Sequence, residues 1–347
     1  MAVWLIRAGR HGEHEDKFLM ENRVYVTWNK LDVDLRKVPD RQALMNVLAE
    51  RYTADKTPKL RNNASQIWPF VHDMKKGDWV VLPLKTTRSI QIGEITGDYV
   101  YEAAGPAPYY HWRPVKWIGE SIPRSHFGKD LLHTFGAFMT ICRVKANDAE
   151  ARLQAMRKTG WKPESVQQAL SSTNLEVGDD QDTELDLEER AQDGIARAIL
   201  SRFKGYELAR LVEGILRAQG YTTWRSPAGA DGGADIIAGA GPLGFGSPRL
   251  VVEVKSEQAP ISRPAVDKLL GSVTKFGANE GLFVSWSGFK NNVHKELAGS
   301  FFRVRLWSQT ELLDALYEVY DKLDPELRAE LPLKQIWTVA LSADDSA

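Results

Sequence analysis

The stretch LSSTNLEVGDDQDTELDLEERAQDG, residues 170–194, contains no aromatic side chain and few large apolar ones. It has too little apolar surface to form a core of its own, and it reads as a linker running into a helix near ELDLEERAQDGIARAILSRF. That splits the chain into two parts, each long enough for a core of ordinary size. Charge splits it at the same place. Up to residue 165 there are 26 Lys and Arg against 19 Asp and Glu, residues 166–201 have 2 against 9, and the remainder has 17 against 18. The net charge of −1 therefore hides a basic first part, an acidic middle and a balanced last part. The expected divisions are 1–165, 166–195 and 196–347. A basic first part suits a polyanionic partner, and a solvated surface explains it as well.

The two parts differ in pattern. In the first, VWLIRA, RVYVTW, DWVVLPL, SIQIGEITGDYVYE, HWRPVKWIG and FMTICRVK are short runs rich in β-branched and aromatic residues. DRQALMNVLAERYT and NASQIWPFVHDM have helical spacing. A small β-rich barrel with helices outside is the expected fold. In the last part, helices around YELARLVEGILRAQG, SRPAVDKLLGSVTKF, FKNNVHKELAG and QTELLDALYEVYDKL alternate with strands ADIIAG, RLVVEVK, EGLFVSW and FRVRLWS. Alternation of this kind predicts an α/β domain with a mixed, largely covered central sheet. The single cysteine, Cys142, excludes an internal disulfide, and no stretch reaches the roughly 18 apolar residues of a membrane span. The apolar run in MAVWLIRAGRHGEHEDK is too short for a signal peptide, so a cytoplasmic protein with no membrane partner is expected.

Residues 225–255, RSPAGADGGADIIAGAGPLGFGSPRLVVEVK, crowd seven glycines and two aspartates ahead of an apolar strand. Asp235 stands at the start of strand ADIIAG, while Glu253 and Lys255 are two apart on RLVVEVK and so share a face. If the two strands pair, Asp235 and Glu253 converge at one end of the sheet. Two carboxylates and a few waters suit Mg²⁺, and a neighbouring lysine can position a water or balance developing negative charge. The plain alternative is a glycine hairpin with a surface Glu–Lys pair, which contributes little. Asp231 reads as a turn cap. Glu257 and Lys268 read as surface residues.

Read together, GYELARLVEGILRAQGY, DGGADII, VVEVK, GLFVSWSGF and VRLWSQTELLDAL resemble the PD-(D/E)xK nuclease superfamily, and within it the Mrr-like restriction endonucleases. The resemblance runs from about Phe203 to Tyr317. It implies a restriction-endonuclease-like fold, with Asp235 and Glu253 as metal ligands, Lys255 as the catalytic lysine and Glu207 as the helix glutamate that helps hold the metal or its waters. The implied cofactor is Mg²⁺, for which Mn²⁺ can substitute. Two departures stand out: Glu253 occupies a place where many relatives have Gln, and Tyr206-Glu207 replaces a Phe-Glu pair.

In the first part, MKKGDWVVLPLKTTRSIQIGEITGDYVYE and HWRPVKWIGE resemble PUA-like domains, including the EVE and YTH readers of modified bases. The resemblance implies a pocket that stacks a flipped base between aromatic rings. Candidates for its lining are Trp28, Trp68, Tyr99, Tyr109, Tyr110 and Trp112, while Trp79 and Trp117 read as core. Arg7, Arg10, Lys85, Arg88 and Arg113 are candidates for DNA-backbone contacts, against a plain reading as solvated surface. His11 and His14 in RAGRHGEHE fit no standard zinc spacing and read as part of a polar loop.

The joint expectation is a modification-dependent DNA endonuclease that hydrolyses phosphodiesters with Mg²⁺. Cutting both strands calls for two active sites, hence a homodimer. A repair or structure-specific nuclease without base reading, and an inactive DNA-binding protein, are the alternatives. The acidic linker is expected to occupy a basic surface until DNA displaces it.

Overall fold

A computed structural model describes residues 1–137, 139–164, 187–227, 233–257, 259–290, 293 and 297–337. The acidic stretch 172–186, Asp231 and residues 291, 292 and 294–296 of the helix expected over FKNNVHKELAG lie outside these residues. The chain forms two units, built on Met1–Arg190 and Ala191–Ile336.

The first unit is a curled half-barrel with helices. Its strands are β1 (Val3–Ile6), β2 (Arg23–Val26), β3 (Trp79–Leu84), β4 (Ser89–Ile95), β5 (Val100–Tyr101), β6 (His111–Trp117), β7 (Ile122–Pro123) and β8 (Ile141–Val144). The sheet runs β2-β6-β4-β3-β1-β8, with β5 on β6 and β7 on β4. Among the described residues of this unit, β1 and β3 pair in parallel and the other strand pairings are antiparallel. All six residues of β3 are buried, and its two-residue period sorts them. Val80, Leu82 and Leu84 join Trp4 and Ile6 beneath helices Arg41–Arg51 and Thr57–His72. Trp79 and Val81 join Val3 and Leu5 beneath helices Lys129–Phe135 and Ala149–Lys158. Covering both faces explains why β1 and β3 read as unbroken apolar runs.

The second unit has strands β9 (Thr222–Arg225), β10 (Ile236–Ala240), β11 (Gly246–Lys255), β12 (Glu280–Ser285) and β13 (Val304–Trp307), in spatial order β13-β12-β11-β10-β9. β9, β10 and β11 pair antiparallel, and β11, β12 and β13 pair in parallel, so the sheet is mixed. Nothing in the sequence reading assigned β9: TTWR is four residues long, half exposed, and lies at the sheet edge. Val252 and Val254 of β11 face a core shared with helices Tyr206–Ala218 and Gln309–Val319. Val251 faces the opposite way, toward helix Arg263–Lys275. No helix among the described residues is long and apolar enough to cross a membrane.

Candidate active site

The hairpin of β10 and β11 positions the acidic residues. Ile236 pairs with Val252 in antiparallel register, which sets Asp235 opposite Glu253 on the same face. That face is the one of Ile237 and Val251, under helix Arg263–Lys275, and Lys255 joins it two residues on. The chain enters Asp235 from Gly233, whose φ of +88° is a left-handed conformation that suits glycine.

Asp235 is fixed at both ends of its residue. Its N–H donates to the Val252 carbonyl at 2.9 Å, and its carbonyl accepts from the Ser226 N–H at 2.9 Å. Its Oδ2 accepts from the Val254 N–H at 2.7 Å. The Ser226 hydroxyl adds a 2.6 Å bond to the Ala234 carbonyl. Across the hairpin, Lys255 Nζ lies 2.7 Å from Glu253 Oε1. Burial opposes the charge on Lys255, yet the hydrogen bond and charge of Glu253, with Asp235 and Glu257 behind it, hold its ammonium above the usual lysine range. Lys255 is therefore a cation at neutral pH, suited to hold a phosphate or a water rather than to take up a proton.

Glu207 arrives from the other side of the sheet. It lies in the first turn of helix Tyr206–Ala218, which packs on the face of Val252 and Val254. The helix start reaches the strand end through the Gly205 N–H, which donates to Ser256 Oγ at 2.9 Å. The Glu207 carboxylate itself accepts from Arg210 at 2.6 Å. Asp235, Glu253 and Lys255 thus come together on one face, and Glu207 stands at the edge of that group, engaged elsewhere.

No group of three or more His, Cys, Asp or Glu that could hold an ion occurs among the described residues. What exists is a pair of hard carboxylates, one of them with an oxygen committed to a backbone N–H. That donor set fits an ion such as Mg²⁺, which accepts one or two carboxylates and keeps several waters.

The aromatic candidates of the first unit separate into different surroundings. Trp28 is 3% exposed and belongs to the core, its indole Nε1 without a hydrogen-bond partner. Tyr99 is buried and meets His111 Nδ1 at 2.6 Å, while His111 Nε2 meets the Leu31 carbonyl at 2.6 Å. The Leu31 carbonyl requires a proton on Nε2, and burial pushes His111 down to about 4, so at neutral pH the ring is uncharged and Nδ1 accepts from the Tyr99 hydroxyl. Trp68 stacks on His72 with 3.9 Å between ring centres. Tyr110 is half-buried and meets His111 edge to face. Tyr109 lines a cavity of about 420 Å³ with Lys17, Glu21, Arg23, Tyr25, Glu102 and Pro106. Beside it, Arg23 lies 3.8 Å over the Trp112 ring, whose Nε1 donates to Glu102 at 3.1 Å.

The basic candidates divide as well. Arg113 is 4% exposed and donates to the carbonyls of Phe70, Val71 and Gly97, which makes it a buried brace between helix Thr57–His72 and the strands. Arg7 donates to the carbonyls of Phe135 and Ala137. Lys85 lies 3.0 Å from Glu189. Arg10 and Arg88 are half-buried, Arg88 in a left-handed conformation with φ of 48° at the β3–β4 turn. His14 serves Tyr109, whose hydroxyl meets its Nδ1 at 2.9 Å, and Glu13 accepts from the His11 N–H at 2.8 Å. The sequence reading missed Arg23, Glu102, Arg124 and buried Glu15. Each has a partner brought in from elsewhere in the chain, Trp112 for Arg23 and Glu102, Glu189 for Arg124 and Lys85 for Glu15, so no local spacing signals it.

Residues 200–316 match the family model of a restriction endonuclease domain (Mrr_cat). Residues 4–133 match a domain of unknown function (DUF8426). Among solved structures, the chain is similar to the MspJI restriction endonuclease in complex with a 27-mer oligonucleotide, at 14% identity and a TM-score of 0.33, over 96% of this chain and 80% of that one. It is also similar to the DNA modification-dependent restriction endonuclease AspBHI, at 14% identity and a TM-score of 0.33, over 80% of this chain and 74% of that one. No curated protein matches the chain.

Proposed function

We propose that this chain, whose second unit carries a restriction endonuclease domain, is a modification-dependent DNA endonuclease using Mg²⁺. The observation that carries the reading is the convergence of Asp235, Glu253 and Lys255 on one face of the β10–β11 hairpin, within the matched residues 200–316. Asp235 and Glu253 would hold the ion, which when bound supplies positive charge and an acidified water. Lys255, a cation in this setting, holds the attacking water or the phosphate oxygen on which charge builds up. The Val254 N–H keeps the Asp235 carboxylate aimed. In the hydrolysis a water oxygen bonds to phosphorus, one bridging P–O bond breaks, and the departing oxygen takes a proton.

Base reading is assigned to the first unit. The cavity beside Tyr109 is lined by the Tyr109 and Tyr25 rings, by Lys17 and Arg23, and by Glu21 and Glu102, so a base stacked there takes the place of Lys17 on the Tyr109 ring. The active form on DNA is a homodimer, so that each strand meets its own site.

The test is cleavage with Mg²⁺ of one plasmid prepared unmodified, adenine-methylated, cytosine-methylated and hydroxymethylated, beside the Asp235→Ala variant. Cutting of one modified form, lost in the variant, supports both halves of the reading. Equal cutting of all four forms keeps the nuclease and removes base reading. Light scattering that finds a monomer with and without DNA removes the dimer.

A further inference from the structure

Glu189 differs from the other acidic residues of its segment that are described. It lies in the first turn of helix Leu187–Arg202, is only 7% exposed, and belongs to the first unit. Three cations surround its carboxylate: Arg124 at 2.5 Å, Lys85 at 3.0 Å and Arg7 at 3.5 Å. Burial opposes the charge, but Arg124, Arg7 and Lys85 together hold the carboxyl below its usual range.

The three cations come from three separate segments at one end of the sheet. Arg7 follows β1, Lys85 opens the β3–β4 turn, and Arg124 follows β7, which pairs with the start of β4. Two of them are pre-set: Arg7 is braced on the Phe135 and Ala137 carbonyls, and the Lys85 backbone N–H donates to buried Glu15 at 2.5 Å. The Arg124 guanidinium, Nη1 of Arg7 and the Lys85 ammonium around one oxyanion match a phosphodiester, which carries the same single charge on two free oxygens. A buried ion pair contributes little net stability compared with apolar packing, so tethering a helix start does not call for three converging cations.

We propose that Arg7, Lys85 and Arg124 form a socket for a DNA backbone phosphate, and that Glu189 is a carboxylate stand-in which DNA displaces. The proposal rests on DNA being the substrate. It makes the end of the acidic segment a competitor for the recognition unit, so that DNA gains the socket only by releasing the start of helix Leu187–Arg202.

The experiment measures binding of a fluorescein-labelled duplex by anisotropy in EDTA, over a range of salt, with the full chain carrying Asp235→Asn so that no cutting intervenes. Adding Glu189→Gln should tighten binding about tenfold, since the competitor is gone. Arg124→Gln should weaken binding and lower the slope of log affinity against log salt by about one, for one lost phosphate contact. Combining the two should cancel the gain. Unchanged affinity in a folded Glu189→Gln chain overturns the socket while leaving DNA as the substrate. Lys85→Ala decides the matter if Glu189→Gln does not fold, because Lys85 is the most exposed of the three, at 26% of its side chain. An unchanged salt slope in Lys85→Ala likewise overturns the socket. No duplex binding by any chain, the parent included, overturns both the socket and the DNA reading.

Discussion

Charged side chains are used differently in the two units. In the first, Glu15, His111 and Arg113 are all at least nine-tenths buried. His111 and Arg113 are spent on backbone carbonyls, and Glu15 on the Lys85 and Thr86 turn. In the second, Asp235, Glu253 and Lys255 stand at strand ends, where Lys255 pairs with Glu253 and Asp235 accepts from the Val254 N–H. The same residue types brace a fold when enclosed and keep part of their surface in solvent at the rim of a sheet. Depth decides between the two uses, and depth is not a property of residue type.

The largest effect that sharpens this contrast is in the second unit. Asp235→Ala or Lys255→Ala should lower plasmid cleavage about 10³-fold or more, with duplex affinity in EDTA nearly unchanged. Residual cutting near the parent rate would show that the rim charges are as structural as the buried ones. Arg113→Met should destabilise the first unit by about 2–4 kcal/mol in urea unfolding, because three carbonyls lose their donor. If Arg113→Met kept its stability and lost DNA affinity instead, the brace would in fact be a phosphate ligand.

Acid titration probes the same enclosure. The folded pKa of His111 is about 4, below the ordinary imidazole value, so between the two the unfolded chain binds the extra proton. Stability should be full above about pH 6.5 and fall by up to about 3 kcal/mol as pH drops toward 4. Urea midpoints at pH 7 and 4.5 check this, and His111→Gln should flatten the difference. The smallest effect falls on Tyr109→Ala, expected to weaken binding of a modified duplex by about 1–2 kcal/mol and of an unmodified one by less. Equal losses on both duplexes would deny the cavity a role in base reading.

The same contrast explains what could be read from the sequence. On a strand, spacing fixes direction: Glu253 and Lys255, two apart, share a face whatever surrounds them. One pairing then brings Asp235 across, so the grouping of three residues was legible before any coordinates. Glu207 was less so, because its helix packs on the opposite face, which motif order does not reveal. The main strands of the first part and the helices Arg41–Arg51 and Thr57–His72 were legible from their periods, while helices Glu15–Glu21, Lys129–Phe135 and Ala149–Lys158 were not assigned. Which of Trp28, Tyr99 and Tyr109 sits in the core and which lines a cavity was not. That depends on partners such as His111, Leu31 and His14, brought in from 12 to 95 residues away. Strand β9 escaped because four half-exposed residues at an edge carry too short an alternation.

The 2.7 Å bond from the Val254 N–H to Asp235 Oδ2 has a practical consequence. Alanine at 235 would remove the acid and also strand a backbone donor inside the hairpin. Asparagine keeps an oxygen for that donor and removes only the negative charge. A chain carrying Asp235→Asn should therefore stay folded and hold its DNA without cutting it, making it an affinity reagent with which to fish the natural target out of sheared genomic DNA.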